Sequence, residues 1–282
     1  GFRGTWVHHL FDSISKNNFS RYVVENAGNG ASTSSNELLR LLTKLHSNEY
    51  NLVISYDGIN EIYFYWNPSL RNKENVLASN MLLYGINSGV IKGLGGKTFT
   101  IESTFPSNLV RYLRKSETYK QFSKITIRFL RRVSKDANLS KKELPAYRLP
   151  KEEKEILTHA GGIWEKNIEF MNSASIAMNS NYLAILQPTL GLNDEYCKAI
   201  NENCLILSRE DYPKYLARIR FLYSILRERC STKNYCLDIS NDHALTIDDS
   251  LYTDARHPNS EGNKRVADLI RKRVIKILDK QY

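Results

Sequence analysis

Three short stretches carry residue types that could do chemistry together. Near the C-terminus, Asp254-Ala255-Arg256-His257-Pro258 places an acid three residues before a histidine on a short turn stopped by proline. In that spacing the carboxylate can receive the imidazole Nδ1 proton, leaving Nε2 as a general base. The same residues also read as a surface turn that caps the following helix, with Asn259 or Ser260 as N-cap and Glu261 and Asp268 near its start. The second stretch is Gly58-Ile59-Asn60-Glu61, where Asn60 offers a side-chain N–H from a strand end or caps a strand-to-loop turn. The third is Ala27-Gly28-Asn29-Gly30-Ala31-Ser32-Thr33-Ser34, whose small residues let backbone N–H groups converge on an anion. A base with hydrogen-bond donors is what acyl transfer needs, because its transition state carries a tetrahedral oxyanion.

The elements that must position these stretches follow from apolar spacing. Residues 22–26 read as a short strand entering the glycine loop, and 35–46 as the helix that the loop opens. Asn51-Leu52-Val53-Ile54-Ser55-Tyr56 is a near-continuous apolar run ending in Asp57-Gly58, as expected of a strand buried on both faces. Two strands around a helix predict a βαβ unit, with functional loops at the C-terminal edge of a parallel sheet. The pattern recurs at 182–186, which runs into Gln187-Pro188-Thr189, and at 235–239, which leads towards Asp254 and His257. Helices are expected within 1–18 and over 163–178, 212–230 and 262–278, each with an ordinary core stripe.

The charge is localised. The 282 residues carry a net +10, and 66–155 alone holds 18 Lys and Arg against 8 Asp and Glu, so the remaining 22 and 22 balance. Within it, 106–142 interleaves basic and aromatic residues, and Phe122, Ile125, Phe129, Leu130 and Val133 share a helical face. Such a helix is usually a solvated face packed on its domain; it also suits an anionic membrane surface, an anionic substrate or nucleic acid. No nucleic-acid module motif is present, and a specific nucleic-acid partner is not expected. Ile91-Lys92-Gly93-Leu94-Gly95-Gly96-Lys97-Thr98 lacks the first glycine of a phosphate loop. No apolar run approaches the roughly eighteen residues of a membrane span, and no secretory signal pattern occurs. Four cysteines, Cys197, Cys204, Cys230 and Cys236, show no metal-type spacing. The ordinary reading is free thiols in the cytoplasm; neighbours can pair in an oxidising compartment.

At Gly28, Asn60, Asp254 and His257 the chain resembles the SGNH hydrolases, the GDSL esterase/lipase family, over 1–61 and 182–282. The resemblance implies an α/β fold, a three-layer α/β/α sandwich with a parallel, flavodoxin-like sheet. It forms one domain over 1–282 with a basic helical insertion at 66–155 that roofs the site. It implies an ester hydrolase acting on an acyl or acetyl ester of a small molecule or glycan, with neither metal nor organic cofactor. His257 and Asp254 would be catalytic, Asn60 with Gly28 or Ala31 the oxyanion donors, and Gly58, Gly30 and Glu61 substrate-lining. Glu61 stands where the family usually has Asp. The family's nucleophilic serine ends a first strand, and no such strand precedes Trp6. Ser13 lies too close to Asn26 for the intervening helix, and Ser32 sits in the oxyanion loop. The chain is therefore expected to begin just after its nucleophile; a non-catalytic carbohydrate- or lipid-binding module on the same fold is the alternative.

Overall fold

In the computed structural model of the chain, residues 4–15, 23–28, 32–45, 49–62, 147–193, 212–253 and 256–279 are described. The chain divides into two compact units, Gly1–Gly89 with Ala146–Tyr282 and, separately, Val90–Pro145. All described residues belong to the first. The basic stretch 106–142, the glycine-rich 91–98, Cys197 and Cys204 lie outside the described residues.

The described part is mixed α/β, mostly helical, around a small parallel sheet. In order come α1 (Trp6–Ser15), α2 (Ser34–Leu45), β1 (Leu52–Asp57), a 3-10 turn (Ile59–Ile62), α3 (Lys151–Ala177) and β2 (Asn181–Leu186). They are followed by α4 (Tyr212–Ser231), β3 (Cys236–Asp238), α5 (His243–Ile247), a second 3-10 turn (Asp249–Leu251) and α6 (Ser260–Leu278). Strand β2 is central, and Tyr182 to Leu186 are all buried, as an apolar run without alternation should be. Leu52 pairs with Asn181 on one side, and Ala184 with Cys236 on the other, both in parallel register.

The described part of the expected strand at 22–26 does not join this sheet. Its described residues, from Val23 on, form no ladder, and Val23 is 95% exposed. The segment is tied instead by side chains: Glu25 accepts from Lys44 and from Tyr50 Oη (2.7 Å), and the Ala27 carbonyl accepts from Arg40. Strand alternation is a local signal, but a strand exists only where another offers its backbone. The carbonyls of Asn51 and Asp57 accept from Asn181 and Gln187. By alternation, the carbonyls of Leu52, Ile54 and Tyr56 face away from β2, and no described strand lies against that edge.

Helix α3 packs on both α2 and α4, and α1 packs on α6. Helix α3 begins twelve residues before the expected start at Ile163. Gly161 and Gly162 lie inside it, although each glycine costs a helix about 1 kcal/mol relative to alanine. The helix continues because α4 crosses there: a Cβ on Gly161 would lie 2.7 Å from Ile225 Cγ2. Arg218 grips Glu153 through Nε and Nη2 at 2.9 and 3.0 Å, and Lys233 reaches Glu165 and Glu169 at 3.0 and 2.7 Å. The free-thiol expectation fails for Cys230 and Cys236, which form a disulfide between the end of α4 and the start of β3. Only six positions separate them, and the turn between brings the chain straight back.

Helix α6 is capped as its sequence predicts. Asn259 Oδ1 accepts from the backbone N–H of Glu261 and Gly262 at 3.0 and 3.1 Å. Gly262 is needed for space: a Cβ there would sit 2.2 Å from the Leu251 carbonyl oxygen. Gly262→Ala is therefore expected to destabilise the protein by about 1–3 kcal/mol, the usual cost of overpacking. Urea unfolding of the two proteins measures this, and an unchanged midpoint would show that the approach of α6 to the Leu251 turn is looser.

Candidate active site

Asn60 owes its position to the way β1 ends. Gly58 has φ +136°, and a Cβ on it would fall 2.7 Å from Leu186 Cδ1, so a side chain would meet both backbone strain and a clash. The chain turns there into the 3-10 segment, whose Ile59 and Ile62 are buried while Asn60 stays half-buried. Asn60 Nδ2 donates to the Ser32 carbonyl at 2.8 Å. Thus the two stretches expected to supply oxyanion donors touch each other, and the second N–H of the Asn60 amide is left for another acceptor. Gly28 is exposed, and its N–H is taken by Asn26 Oδ1 at 3.0 Å in a local turn. Gly30 and Ala31 lie outside the described residues.

Glu61, expected to line a substrate pocket, is instead fully buried. Its Oε1 accepts the Ser34 backbone N–H at 2.7 Å, an unsatisfied donor at the start of α2. It therefore ties the Asn60 turn to that helix and cannot reach a ligand in solution. The reading from sequence also missed two companions. Asp57, 1% exposed, accepts the Trp164 indole N–H from α3. Glu37, in the first turn of α2, is only partly buried as a residue, yet its Oε2 is sealed. Burial, then the charge of Asp57, holds Glu37 well above the usual carboxylate range. Burial also raises Asp57, opposed by hydrogen bonds from Glu37 and Trp164. Glu61 is pushed up to about 8, first by burial and then by Asp57. Around them, Asn167 Nδ2 donates to Ser34 Oγ and Ser35 Oγ at 2.9 and 2.8 Å. The one hint in the sequence was an acid at the end of an apolar strand.

The histidine turn is held by backbone and side-chain groups together. The His257 carbonyl accepts from Thr253 N and Oγ1, both at 2.9 Å, and Tyr252 bridges Pro258. Asn259 N reaches the Leu251 carbonyl at 2.8 Å, Asn259 Nδ2 the Ser250 carbonyl at 2.6 Å, and Tyr252 Oη the Leu245 carbonyl at 2.7 Å. The Arg256 guanidinium lies 5.3 Å from the centroid of Tyr215 on α4. His257 itself is exposed; Asp254 falls outside the described residues. Tyrosines link this turn to the strand ends. Tyr223 donates to the Gln187 carbonyl at 2.8 Å and stands next to Gly58, and its hydroxyl feels Tyr215, Tyr56 and Tyr252. A serine–histidine contact outside the expected set joins His9 Nε2 and Ser260 Oγ at 3.3 Å, in an exposed setting where α1 meets α6.

Among the described residues, no three His, Cys, Asp or Glu side chains stand so as to hold a metal ion. No helix of those residues is long and apolar enough to cross a membrane. No family model, no curated protein and no solved structure matches this chain.

Trp164→Phe keeps an aromatic ring, though a smaller one, and removes the indole donor to a buried carboxylate. Losing a hydrogen bond to a charged group costs about 1.5–3 kcal/mol. Chemical denaturation should register that loss, and a variant as stable as the parent would show that Asp57 does not depend on Trp164.

Proposed function

We propose that this chain carries most of an SGNH-type ester hydrolase site. His257 is the general base, Asp254 orients it, and Asn60 with the 28–31 loop donates to the oxyanion. One observation carries the reading: Asn60 Nδ2 meets the Ser32 carbonyl at 2.8 Å, so two loops separate in sequence come together at the end of β1. In this reading α2, α3 and α4 cover one face of the sheet and α1 with α6 the other, which makes the three-layer sandwich. The nucleophilic serine arrives on a strand that pairs with the edge of β1 against which no described strand lies. Its Oγ attacks the ester carbonyl while its proton passes to His257 Nε2. The tetrahedral oxyanion takes the Asn60 amide and loop N–H groups, and the alcohol then leaves with the proton from His257. Water, deprotonated by His257, releases the acid. The acyl ester belongs to a small molecule or glycan, and the basic 66–155 span favours an anionic one or an anionic membrane surface. The Cys230–Cys236 bond favours an oxidising compartment over the cytoplasm.

A second reading has one observation of its own. The Gly28 N–H is already spent on Asn26, which suits a non-catalytic module that binds carbohydrate or lipid through the same loops.

The test is to express the chain together with the residues encoded upstream and to assay short-chain nitrophenyl esters. Hydrolysis should appear in the extended protein and fall about a thousandfold or more in His257→Ala. An extended protein that hydrolyses nothing, or a His257→Ala variant as active as the parent, would sink the hydrolase reading. Ligand binding that survives His257→Ala without hydrolysis would favour the binding module.

A further inference from the structure

Three carboxyl groups from three elements converge where β1 ends: Glu37 from α2, Asp57 from β1 and Glu61 from the 3-10 turn. Each keeps one oxygen sealed from solvent with no donor among the described residues, namely Glu37 Oε2, Asp57 Oδ2 and Glu61 Oε2. Asp57 and Glu61 are 1% and 0% exposed. Donors reach only their other oxygens, from Trp164 to Asp57 and from Ser34 N to Glu61.

The surroundings do little to neutralise them. Helix α2 contributes Arg40, which acts on Glu37 but also donates to the Ala27 carbonyl. Helix α3 offers the neutral Trp164 and Asn167. Strand β1 adds Tyr56, whose buried hydroxyl also lacks a partner, and β2 adds Tyr182, which bonds Ser55 Oγ at 2.7 Å and feels the charge of Asp57. Three anions cannot share such a place, and these residues have no metal-holding arrangement. The ligand that satisfies a buried carboxyl oxygen facing another carboxyl is a proton.

We propose that Glu37, Asp57 and Glu61 form a proton-bound clasp, with two protons and one negative charge, that closes the Asn60 turn onto the start of α2 and opens when the protons leave. The charge rests on Asp57, which receives the Trp164 N–H and the proton of Glu37. Glu37 and Glu61 hold the protons, Glu61 up to about pH 8. Unfolded, both carboxyls would titrate near 4.3. Between that value and about 8, the folded chain binds more protons than the unfolded one. The clasp therefore contributes fully at acidic pH, and its contribution is lost as pH rises through this window. Each proton lowers the folding constant about tenfold per pH unit. This holds whether or not the neighbouring loops hydrolyse an ester.

Urea unfolding of the whole chain from about pH 5 to about pH 9 tests the clasp, because linkage reads the proton difference directly. The wild type should lose stability across the range, and Glu61→Gln should lose about tenfold less per pH unit and exceed the wild type at the alkaline end. Wild-type stability that is flat or rises with pH, or a Glu61→Gln curve parallel to the wild type, overturns the proposal. Should Glu61→Gln not fold, infrared spectra of the wild type decide: a protonated-carboxyl band present at neutral pH and gone by about pH 9 supports it. Its absence at neutral pH refutes it.

Discussion

A carboxylate at the end of a buried strand constrains everything around it. Asp57 is 1% exposed, and a charge so placed must be hydrogen-bonded or neutralised for the fold to persist. Trp164 answers from α3 and Glu37 from α2, so the two helices that pack on each other also meet this carboxyl. The backbone cannot continue straight past Asp57, because Gly58 turns against Leu186. That turn delivers Glu61 to the Ser34 N–H and Asn60 to the Ser32 carbonyl. The position of the amide proposed to do chemistry thus follows from an electrostatic need one turn away.

The two halves of the candidate site are built by different means. Asn60 is held through side chains, by its own amide and by the buried Glu61 beneath it. The His257 turn is held by main-chain bonds of Thr253, Tyr252 and Asn259 together with donors from the same three side chains. Its outward tie is Arg256 resting on Tyr215. A turn tied at this many of its own carbonyls keeps its shape even where more distant side chains vary. The amide half depends on a few polar atoms being correctly protonated.

Much of this architecture was legible in the sequence, and the failures share a cause. The apolar runs of β1 and β2, the stripes of α2, α4 and α6, and the Asn259 cap are local signals that the structure honours. Residues 22–26 carry an equally good local pattern, but pairing depends on a distant partner, and the described ones, 23–26, run free of the sheet. Helix α3 was expected to start only at Ile163, because the close crossing that Gly161 allows, at Ile225, lies 64 residues away. The Cys230–Cys236 bond depended on whether the chain doubles back, which spacing alone leaves open. At the site, Asn60 and its neighbouring loop were recognisable by type and order. Glu37 and Asp57 were not, and Glu61 was named but expected to face a substrate, because patterning reads an acid as a surface residue unless something marks it as buried.

The register of the sheet also bears on how the chain finds its fold. Helix α3 runs directly into β2, and α4 into β3 across a short turn, so those pairs close over short loops. Strand β1 is different: Leu52 must find Asn181, and Asp57 must find Leu186, across more than a hundred residues of intervening chain. Closing so long a loop costs entropy before any contact rewards it, and non-local pairing slows folding. The helix–strand units of the C-terminal half should therefore be in place first, offering a finished edge to which β1 adds. The strand that carries Asp57, and with it the turn of Asn60, belongs to the late steps of folding.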